Sequence, residues 1–294
     1  MSRRIAIFDT TLRDGEQSVG VALSPADKVE IATALEQLGV GVIEAGFPAT
    51  SEGEFEAVRS VAEAVKRPVV AAMARAAEGD VTAAAEALAG AGRSRLHLVV
   101  GTSDVHLELK LGLSRDELLD LAVRTTRLAR PLFDEVEFCC EDAARSDRGF
   151  LREVCAAVVA EGADVVNLPD TVGFAVPGEY AGMFRTLGVD AVLSAHCHDD
   201  LGLATANTIA AVDAGAGQVE CTINGIGERA GNAALEEVVA ALELSGYETG
   251  IDMSRLADVS RLVSSLTGYA VAPHKAIVGA NASGSYSSSR RSTS

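Results

Sequence analysis

The sequence has 294 residues, of which 25 are Lys or Arg and 42 are Asp or Glu, so its formal net charge at pH 7 is −17. This acidic excess argues against a nucleic-acid-binding protein, whose contact surface is normally basic, and against docking on an anionic membrane. With 48% hydrophobic and 23% charged residues, the chain can bury a core and is not typical of disordered proteins.

The first residues and the cysteines indicate the cellular compartment. The apolar run at residues 5–8 ends at Asp9 and is too short for a secretory signal peptide. No run of 18 or more apolar residues is present that could span a membrane. The five cysteines are an odd number in a chain large enough to fold without disulfides. We therefore expect a cytoplasmic protein with reduced thiols.

Short β-branched runs alternate with longer Ala- and Leu-rich runs along the chain. The short runs predict strands at residues 5–8, 40–45, 69–72, 96–100, 136–138, 165–168, 191–195 and 219–222. The longer runs predict helices at residues 24–38, 51–65, 81–89, 114–129, 148–160, 177–187, 204–214 and 232–244. Ser24 is the expected N-cap of the first helix, and Pro25 its first residue.

Eight strands that alternate with eight helices predict an α/β protein of the (β/α)8 TIM-barrel type. A doubly wound open sheet is the alternative, but no G-x-G-x-x-G motif follows the first strand. We expect a catalytic barrel over residues 1–250 and a short C-terminal helical extension over residues 251–282, with a helix near residues 253–267. The Ser-rich residues 283–294 are expected to be a disordered tail or a cloning remnant.

Polar segments follow most of the predicted strands, where the active site of such a barrel lies. They occur at residues 9–17, 44, 141–142, 170–171, 196–200 and 224–232. Within them, His196 and His198 are two residues apart, so both imidazoles can face one side of a strand and bind one divalent cation. Asp14 can add an oxygen ligand across the barrel mouth. Nitrogen and oxygen ligands without a thiolate suit Mg, Mn, Zn or Co; the alternative is a pair of histidines that bind no metal.

Other residues at this rim allow two interpretations each. Arg13, next to Asp14, could stabilise an enolate or alkoxide together with a metal ion, or form a surface ion pair. Glu44 could orient Arg13, or be a carboxylate in water. Thr171 could contact a substrate carboxylate, or only cap a turn. The loop at residues 225–231 could cradle an anion or border an acyl carrier, or be a tight turn. His106 is a candidate substrate contact.

The rim motifs together resemble those of the 2-isopropylmalate synthase and homocitrate synthase family, which are metal-dependent, Claisen-condensing TIM-barrel enzymes. The resemblance extends from about residue 5 to residue 282 and rests on these segments: Phe8-Asp9-Thr10-Thr11-Leu12-Arg13-Asp14-Gly15-Glu16-Gln17, Glu44-Ala45-Gly46-Phe47-Pro48, Asn167-Leu168-Pro169-Asp170-Thr171, His196-Cys197-His198-Asp199-Asp200 and residues 224–232.

The resemblance implies an acyltransferase that condenses acetyl-CoA with a 2-oxo acid to a 2-hydroxy-2-alkyl diacid and CoA, as in amino-acid biosynthesis. It implies a divalent metal ion held by Asp14, His196, His198 and Asn232. It also implies the remaining roles: Arg13, Glu44 and Glu141 in catalysis, Thr171, His106, Gln17 and Glu137 at the substrate, and Gly225, Gly227 and Gly231 beside acetyl-CoA. A homodimer is expected from the resemblance as well.

Two departures from the family refine this expectation. Glu137 stands where a homocitrate synthase would carry a basic residue for the distal carboxylate of 2-oxoglutarate, so we expect a monocarboxylic 2-oxo acid, with 2-oxoisovalerate first to test. The His-containing segment and regulatory domain that would follow residue 282 are absent from the sequence, so we expect no inhibition by leucine. The alternatives are a homocitrate- or citramalate-type synthase, a retro-Claisen lyase, and a non-catalytic barrel.

Overall fold

The computed structural model describes residues 3–282, and its eight parallel strands close into a barrel in sequence order. Because the last strand pairs with the first, the sheet has no free edge. The predicted (β/α)8 TIM barrel is therefore confirmed. The strands are β1 (Ala6–Asp9), β2 (Val42–Glu44), β3 (Val69–Arg75), β4 (Ser94–Gly101), β5 (Glu135–Glu141), β6 (Val165–Asp170), β7 (Val192–Cys197) and β8 (Gln218–Cys221).

A helix follows each strand, as the alternating pattern predicts. The first begins as expected: the Ser24 side chain accepts a hydrogen bond from the Asp27 backbone N–H, the Asp27 side chain accepts from the Ser24 backbone, and Pro25 is the first helical residue. The eight helices are α1 (Pro25–Leu38), α2 (Glu52–Ala64), α3 (Glu78–Ala87), α4 (Arg115–Ala129), α5 (Arg148–Ala160), α6 (Pro177–Leu187), α7 (Ala204–Asp213) and α8 (Leu235–Leu244).

A short helical segment between β4 and α4 has no counterpart in the sequence-based prediction. One α-helical turn at Asp104–His106 continues as a π-helical turn at Leu107–Leu111. Such a segment is too short to show a hydrophobic repeat, which explains why the pattern does not reveal it. This segment places Lys110 and Leu111 on the wall of a large cavity at the mouth of the barrel, which is called the main cavity below.

The helix expected near residues 253–267 is present as a 3-10 turn at Met253–Arg255 followed by α9 (Leu256–Thr267), which packs against α1. The proposed tail at residues 283–294 lies outside the described residues, and the division of the chain at residue 250 stays a prediction. All five cysteines are buried free thiols, as expected. Among residues 3–282, no helix combines the length and apolarity needed to cross a bilayer.

The interior of the barrel is divided into an apolar and a polar part. Phe8, Val42, Val69 and Ala71 form a separate buried cluster on the side of the first three strands. The opposite side holds buried polar groups, although TIM-barrel interiors are usually filled with branched apolar residues. These groups bond to one another: for example, Arg95 donates from Nη1 to both Glu137 (2.9 Å) and Gln218 (2.7 Å). The polar side extends towards the carboxyl ends of the strands.

Candidate active site

Three potential metal ligands from two strand ends converge at the mouth of the barrel. His196 lies on β7 and His198 directly follows it, and their Nε2 atoms are 3.3 Å apart. Asp14, in the turn after β1, places its Oδ2 at 3.6 Å from Nε2 of His196 and 3.9 Å from Nε2 of His198. All three side chains are buried. The predicted trio is therefore brought together, with ligand atoms close enough to share one cation.

The charge state of this trio suits a divalent cation. Burial lowers the pKa of His196 to about 4, and burial together with the neighbouring His196 lowers the pKa of His198 to about 4. Burial opposes ionisation of Asp14, but Arg13 and the two histidines outweigh it and hold the Asp14 pKa well below its usual range. The site thus offers two neutral imidazoles and one carboxylate, the protonation states that metal binding requires.

Asn232 is the fourth predicted ligand, and it lies beside Asp14. Its Nδ2 donates to Oδ1 of Asp14 (2.9 Å) and to the Ile226 carbonyl oxygen (3.1 Å). Its Oδ1 is buried and has no hydrogen-bond partner among the described residues. The structure therefore places Asn232 next to the trio through its amide nitrogen, and its role as a ligand stays a prediction.

The glycine-rich loop after β8 is shaped by close backbone approaches. A Cβ atom at Gly227 would lie 2.2 Å from Nδ2 of Asn232, and a Cβ atom at Gly231 would lie 1.9 Å from the Gly225 carbonyl oxygen. Both distances are far shorter than a real contact, so neither position tolerates a side chain without movement of the loop. The loop borders a second cavity of about 310 Å³, which Tyr269 and Lys275 close from the C-terminal extension.

Arg13 is oriented by Glu44, as the sequence suggested. Its Nε donates to Oε2 of Glu44 (2.8 Å), and its Nη1 donates to Oδ2 of Asp14 (2.8 Å). Burial opposes ionisation of Glu44, but Arg13 and His97 lower its pKa to about 2. Nη2 of Arg13 has no hydrogen bond to the rest of residues 3–282, and Arg13 lines the main cavity. The guanidinium therefore has a free edge next to the metal-ligand trio.

Most of the other predicted site residues line this main cavity, which has a volume of about 710 Å³. Gln17, Glu141 and Thr171 are on its wall, together with Glu228. Nζ of Lys110 lies 2.8 Å from both carboxylate oxygens of Glu141. His106 does not line the cavity: it lies behind Glu141, with its Nδ1 at 3.5 Å from Oε2 of that residue.

Glu137 occupies a position that corrects the sequence-based argument. Its side chain lies below the cavity, in the barrel interior, where it is fully buried and does not form part of the cavity wall. Arg95 and Gln218 donate to its carboxylate at 2.9 Å and 2.8 Å. Burial and the nearby Glu220 raise its pKa to about 7. Because Glu137 does not face the cavity, its charge cannot repel a dicarboxylic substrate directly, and that argument for a monocarboxylic substrate was wrong.

Several cavity residues were missed by sequence reasoning. His97 lies on the cavity wall with its Nδ1 at 2.7 Å from Oε1 of Glu44. Glu44 raises the pKa of His97 well above its usual value, although burial opposes this. Asn167 and Glu220 also line the cavity. The sequence feature that could have revealed such residues is a polar residue at every second position of a strand, as in Arg95-x-His97 and Gln218-x-Glu220. Alternate residues of a barrel strand face the interior.

Comparisons with known proteins define the class of protein. The HMGL-like family model matches residues 4–263, and the chain belongs to this family. A hydroxymethylglutaryl-CoA lyase structure from Pseudomonas aeruginosa has the same fold, with a TM-score of 0.81 at 21% identity, covering 98% of this chain and 99% of that one.

Two curated relatives place the chain more closely. A 2-isopropylmalate synthase from Neisseria meningitidis serogroup A is 50% identical over 291 residues, which are 96% of this chain and 56% of that protein. A 2-isopropylmalate synthase 1 from Caldanaerobacter subterraneus is 52% identical over 290 residues, which are 95% of this chain and 73% of that protein. The chain thus spans just over half the length of the Neisseria protein. The family resemblance found in the motifs is confirmed.

The trio predicts that one divalent cation binds per chain, and that the histidines hold it without stabilising the fold. We expect His196→Ala and His198→Ala each to abolish tight binding of Zn²⁺ or Co²⁺ while the melting temperature of the metal-free protein changes little, because rim residues of TIM barrels contribute to function more than to packing. His274→Ala, at an exposed histidine, is the matched control. Full metal occupancy in both rim variants would contradict the site.

The lowered histidine pKa values predict an unusual pH dependence of metal affinity. Protonated imidazole cannot bind a cation, so affinity is lost only as the pH falls towards about 4, where His196 and His198 become protonated. We expect Co²⁺ affinity, measured by chelator competition, to change little from about pH 7 to about pH 5.5 and then to fall by up to ~100-fold per pH unit as two protons compete. A steep fall that already begins near the ordinary histidine pKa of 6.5 would show that burial does not control these groups.

Proposed function

We propose that the chain is the catalytic barrel of a 2-isopropylmalate synthase, which condenses acetyl-CoA with a 2-oxo acid and releases a 2-hydroxy-2-alkyl diacid and CoA. The observation that carries this proposal is the position of Arg13, whose free guanidinium edge faces the same cavity as the Asp14, His196 and His198 side chains. A cation site beside a fixed donor is the arrangement that an enolate-forming reaction needs. The relatives named 2-isopropylmalate synthase support the same activity.

The metal-ligand trio is proposed to bind the 2-oxo acid through a divalent cation. Asp14, His196 and His198 would hold the cation, with Asn232 beside them. When bound, such a cation acts as a Lewis acid that polarises the oxo and carboxylate oxygens of the substrate. Thr171, on the same cavity wall, is proposed to contact the substrate carboxylate. Its Oγ1 accepts from the Asp142 backbone N–H (2.9 Å), so its own hydrogen is available to donate.

Arg13 and Glu141 are proposed to act on acetyl-CoA. Removal of a proton from the acetyl methyl group generates an enolate, and Arg13 would donate to its developing oxygen anion. Glu44 fixes Arg13 in this orientation, so the donor does not need to reorganise during the reaction. Glu141, paired with Lys110 on the cavity wall, is the proposed group for proton transfer. The enolate carbon then attacks the oxo carbon of the 2-oxo acid, and the oxo oxygen takes up a proton to become the hydroxyl group. Water finally cleaves the thioester of this product, which releases the free acid and CoA.

The second cavity is the proposed place for the CoA part of the donor. It adjoins Asn232 and the loop of Gly225, Gly227 and Gly231, and so borders the metal-ligand trio. Lys275 and Arg229 are on its wall but are paired with Glu237 and Asp200, so the placement of CoA rests on the backbone of the glycine-rich loop and not on free positive charge. A homodimer, expected from the resemblance, stays a prediction.

The wall of the main cavity supports an apolar side chain on the 2-oxo acid. Phe47, Met73, Val99, Leu111 and Leu121 line it on the side of β2 to β4. Besides Arg13 and His97, which contact Glu44, the cations on this wall are Arg75 and Lys110, and these two are already paired with Asp80 and Glu141. The choice of 2-oxoisovalerate is therefore supported by the apolar wall instead of by Glu137.

A thiol-release assay tests the proposed function. The protein, loaded with Mg²⁺, Mn²⁺, Zn²⁺ or Co²⁺, is incubated with acetyl-CoA and with 2-oxoisovalerate, pyruvate or 2-oxoglutarate in turn. We expect CoA release with 2-oxoisovalerate to exceed that with the other two acids. Arg13→Ala should lower kcat by about 10²–10³ with little change in KM for the 2-oxo acid, because the contact strengthens only as enolate charge develops.

Arg59→Ala, at an exposed arginine on α2, is the matched control and should retain the wild-type kcat. A metal-loaded protein that releases no CoA with any 2-oxo acid would refute the proposal. A clear preference for 2-oxoglutarate would refute the apolar-substrate argument alone. A normal kcat with a lowered melting temperature in Arg13→Ala would show that Arg13 has only a structural role.

A further inference from the structure

Two buried polar atoms next to the metal-ligand trio lack a well-aligned hydrogen-bond partner among residues 3–282. They are Nδ1 of His196 and Oε2 of Glu220, and they lie only 3.1 Å apart. The side chains are 6% and 0% exposed, so water does not readily satisfy either atom. A ring nitrogen can carry a hydrogen, and a carboxylate oxygen can accept it. Each atom is therefore the natural partner of the other.

We propose that Glu220 is a positioning residue that fixes the tautomer of His196. In this arrangement Nδ1 of His196 carries the hydrogen and donates it to Oε2 of Glu220. Nε2 then keeps its lone pair, on the side of the ring that faces His198 and Asp14. A carboxylate behind a histidine ligand orients the ring and raises its basicity as a ligand. The inference rests on the metal site of the proposed function.

The structure holds the Glu220 carboxylate in place by its other oxygen. Oε1 of Glu220 accepts from Oγ of Ser194 (2.9 Å) and from Nδ2 of Asn167. Glu220 is also the register partner of His196 across the β7–β8 pair. The two side chains are thus set beside each other by the barrel itself. One oxygen is anchored by two hydrogen bonds, and the other lies 3.1 Å from Nδ1 of His196, where a small rotation of the imidazole would align the pair.

The two histidines of the trio differ in this respect. Nδ1 of His198 is also buried without a partner, but within the described residues the only carboxylate at ion-pair distance from this ring is that of Asp14, which lies on the Nε2 side. Removal of the Glu220 carboxylate should therefore act directly on His196, and on His198 only through the contact between the two Nε2 atoms.

The first test compares metal affinity in three variants. Glu220→Gln keeps the size of the side chain and removes its charge, and Glu220→Ala removes the carboxylate. Glu236→Gln is the matched control, because Glu236 is equally buried but has no contact with His196. We expect both Glu220 variants to bind Zn²⁺ roughly 10–100-fold more weakly in chelator competition. Glu236→Gln should retain the wild-type affinity.

The second test observes the tautomer directly, without metal or substrates. Long-range ¹H–¹⁵N NMR spectra of the histidine-labelled, metal-free protein should show His196 protonated at Nδ1 in the wild type. In Glu220→Gln the Nε2-protonated form of His196 should increase. The melting temperature of each metal-free variant establishes that it is folded, and Glu220→Gln carries the test where Glu220→Ala does not fold.

Three results would overturn the inference: wild-type His196 protonated at Nε2, wild-type Zn²⁺ affinity in a folded Glu220→Gln protein, or an equal loss of affinity in Glu236→Gln. A wild-type protein that binds no divalent cation would overturn it as well. None of these measurements involves acetyl-CoA or a 2-oxo acid. A failure of the condensation assay therefore refutes the proposed function while the pairing of Glu220 with His196 is decided separately.

Discussion

The buried carboxylate of Glu44 holds three groups of the barrel mouth in place at once. Its Oε2 accepts from Thr10 (2.6 Å) and from Arg13 (2.8 Å), and its Oε1 is paired with His97 (2.7 Å). A buried charge is costly unless it is paired and hydrogen-bonded, and here two cations compensate it. Since Glu44 ends β2, the position of Arg13 is defined by the barrel and not by the loop that carries it. The proposed enolate donor is thus fixed before any substrate arrives.

Buried polar groups are also compensated by hydrogen bonds further inside the barrel. Below the metal-ligand trio, polar side chains of β4 to β8 bond to one another in place of an apolar filling, and Glu220 and Asn167 belong to this part of the interior. The apolar cluster around Phe8 occupies the opposite side. Low-dielectric surroundings strengthen each bond of a satisfied network and penalise each loss. The polar half of the interior therefore acts as a rigid base for the groups above it.

The last of the rim loops is fixed by steric contact instead of charge. Gly227 brings its backbone against the Asn232 side chain, and Gly231 brings its backbone against the Gly225 carbonyl. These approaches are possible only without a Cβ atom. As a result Asn232, which lines the proposed CoA cavity, reaches Asp14 of the proposed metal site.

The sequence by itself determined the barrel, because the alternation of short β-branched runs with longer helical runs is a local property, and eight repeats allow few other closed arrangements. It also determined which rim residues meet, since residues at the carboxyl ends of parallel strands share one face. His196, His198, Asp14 and Arg13 were found in this way. The spacing of the two histidines was enough to place both imidazoles on one side.

Only the tertiary structure decided what lies beneath and behind that rim. Whether Glu137 faces the cavity or the interior depends on its height along β5, and therefore on the register of the barrel, which no local pattern encodes. His97 and Glu220 became visible only when neighbouring strands set their side chains against Glu44 and His196. The short helical segment that carries Lys110 to Glu141 was hidden for a related reason, because its position depends on packing across the barrel mouth and not on periodicity.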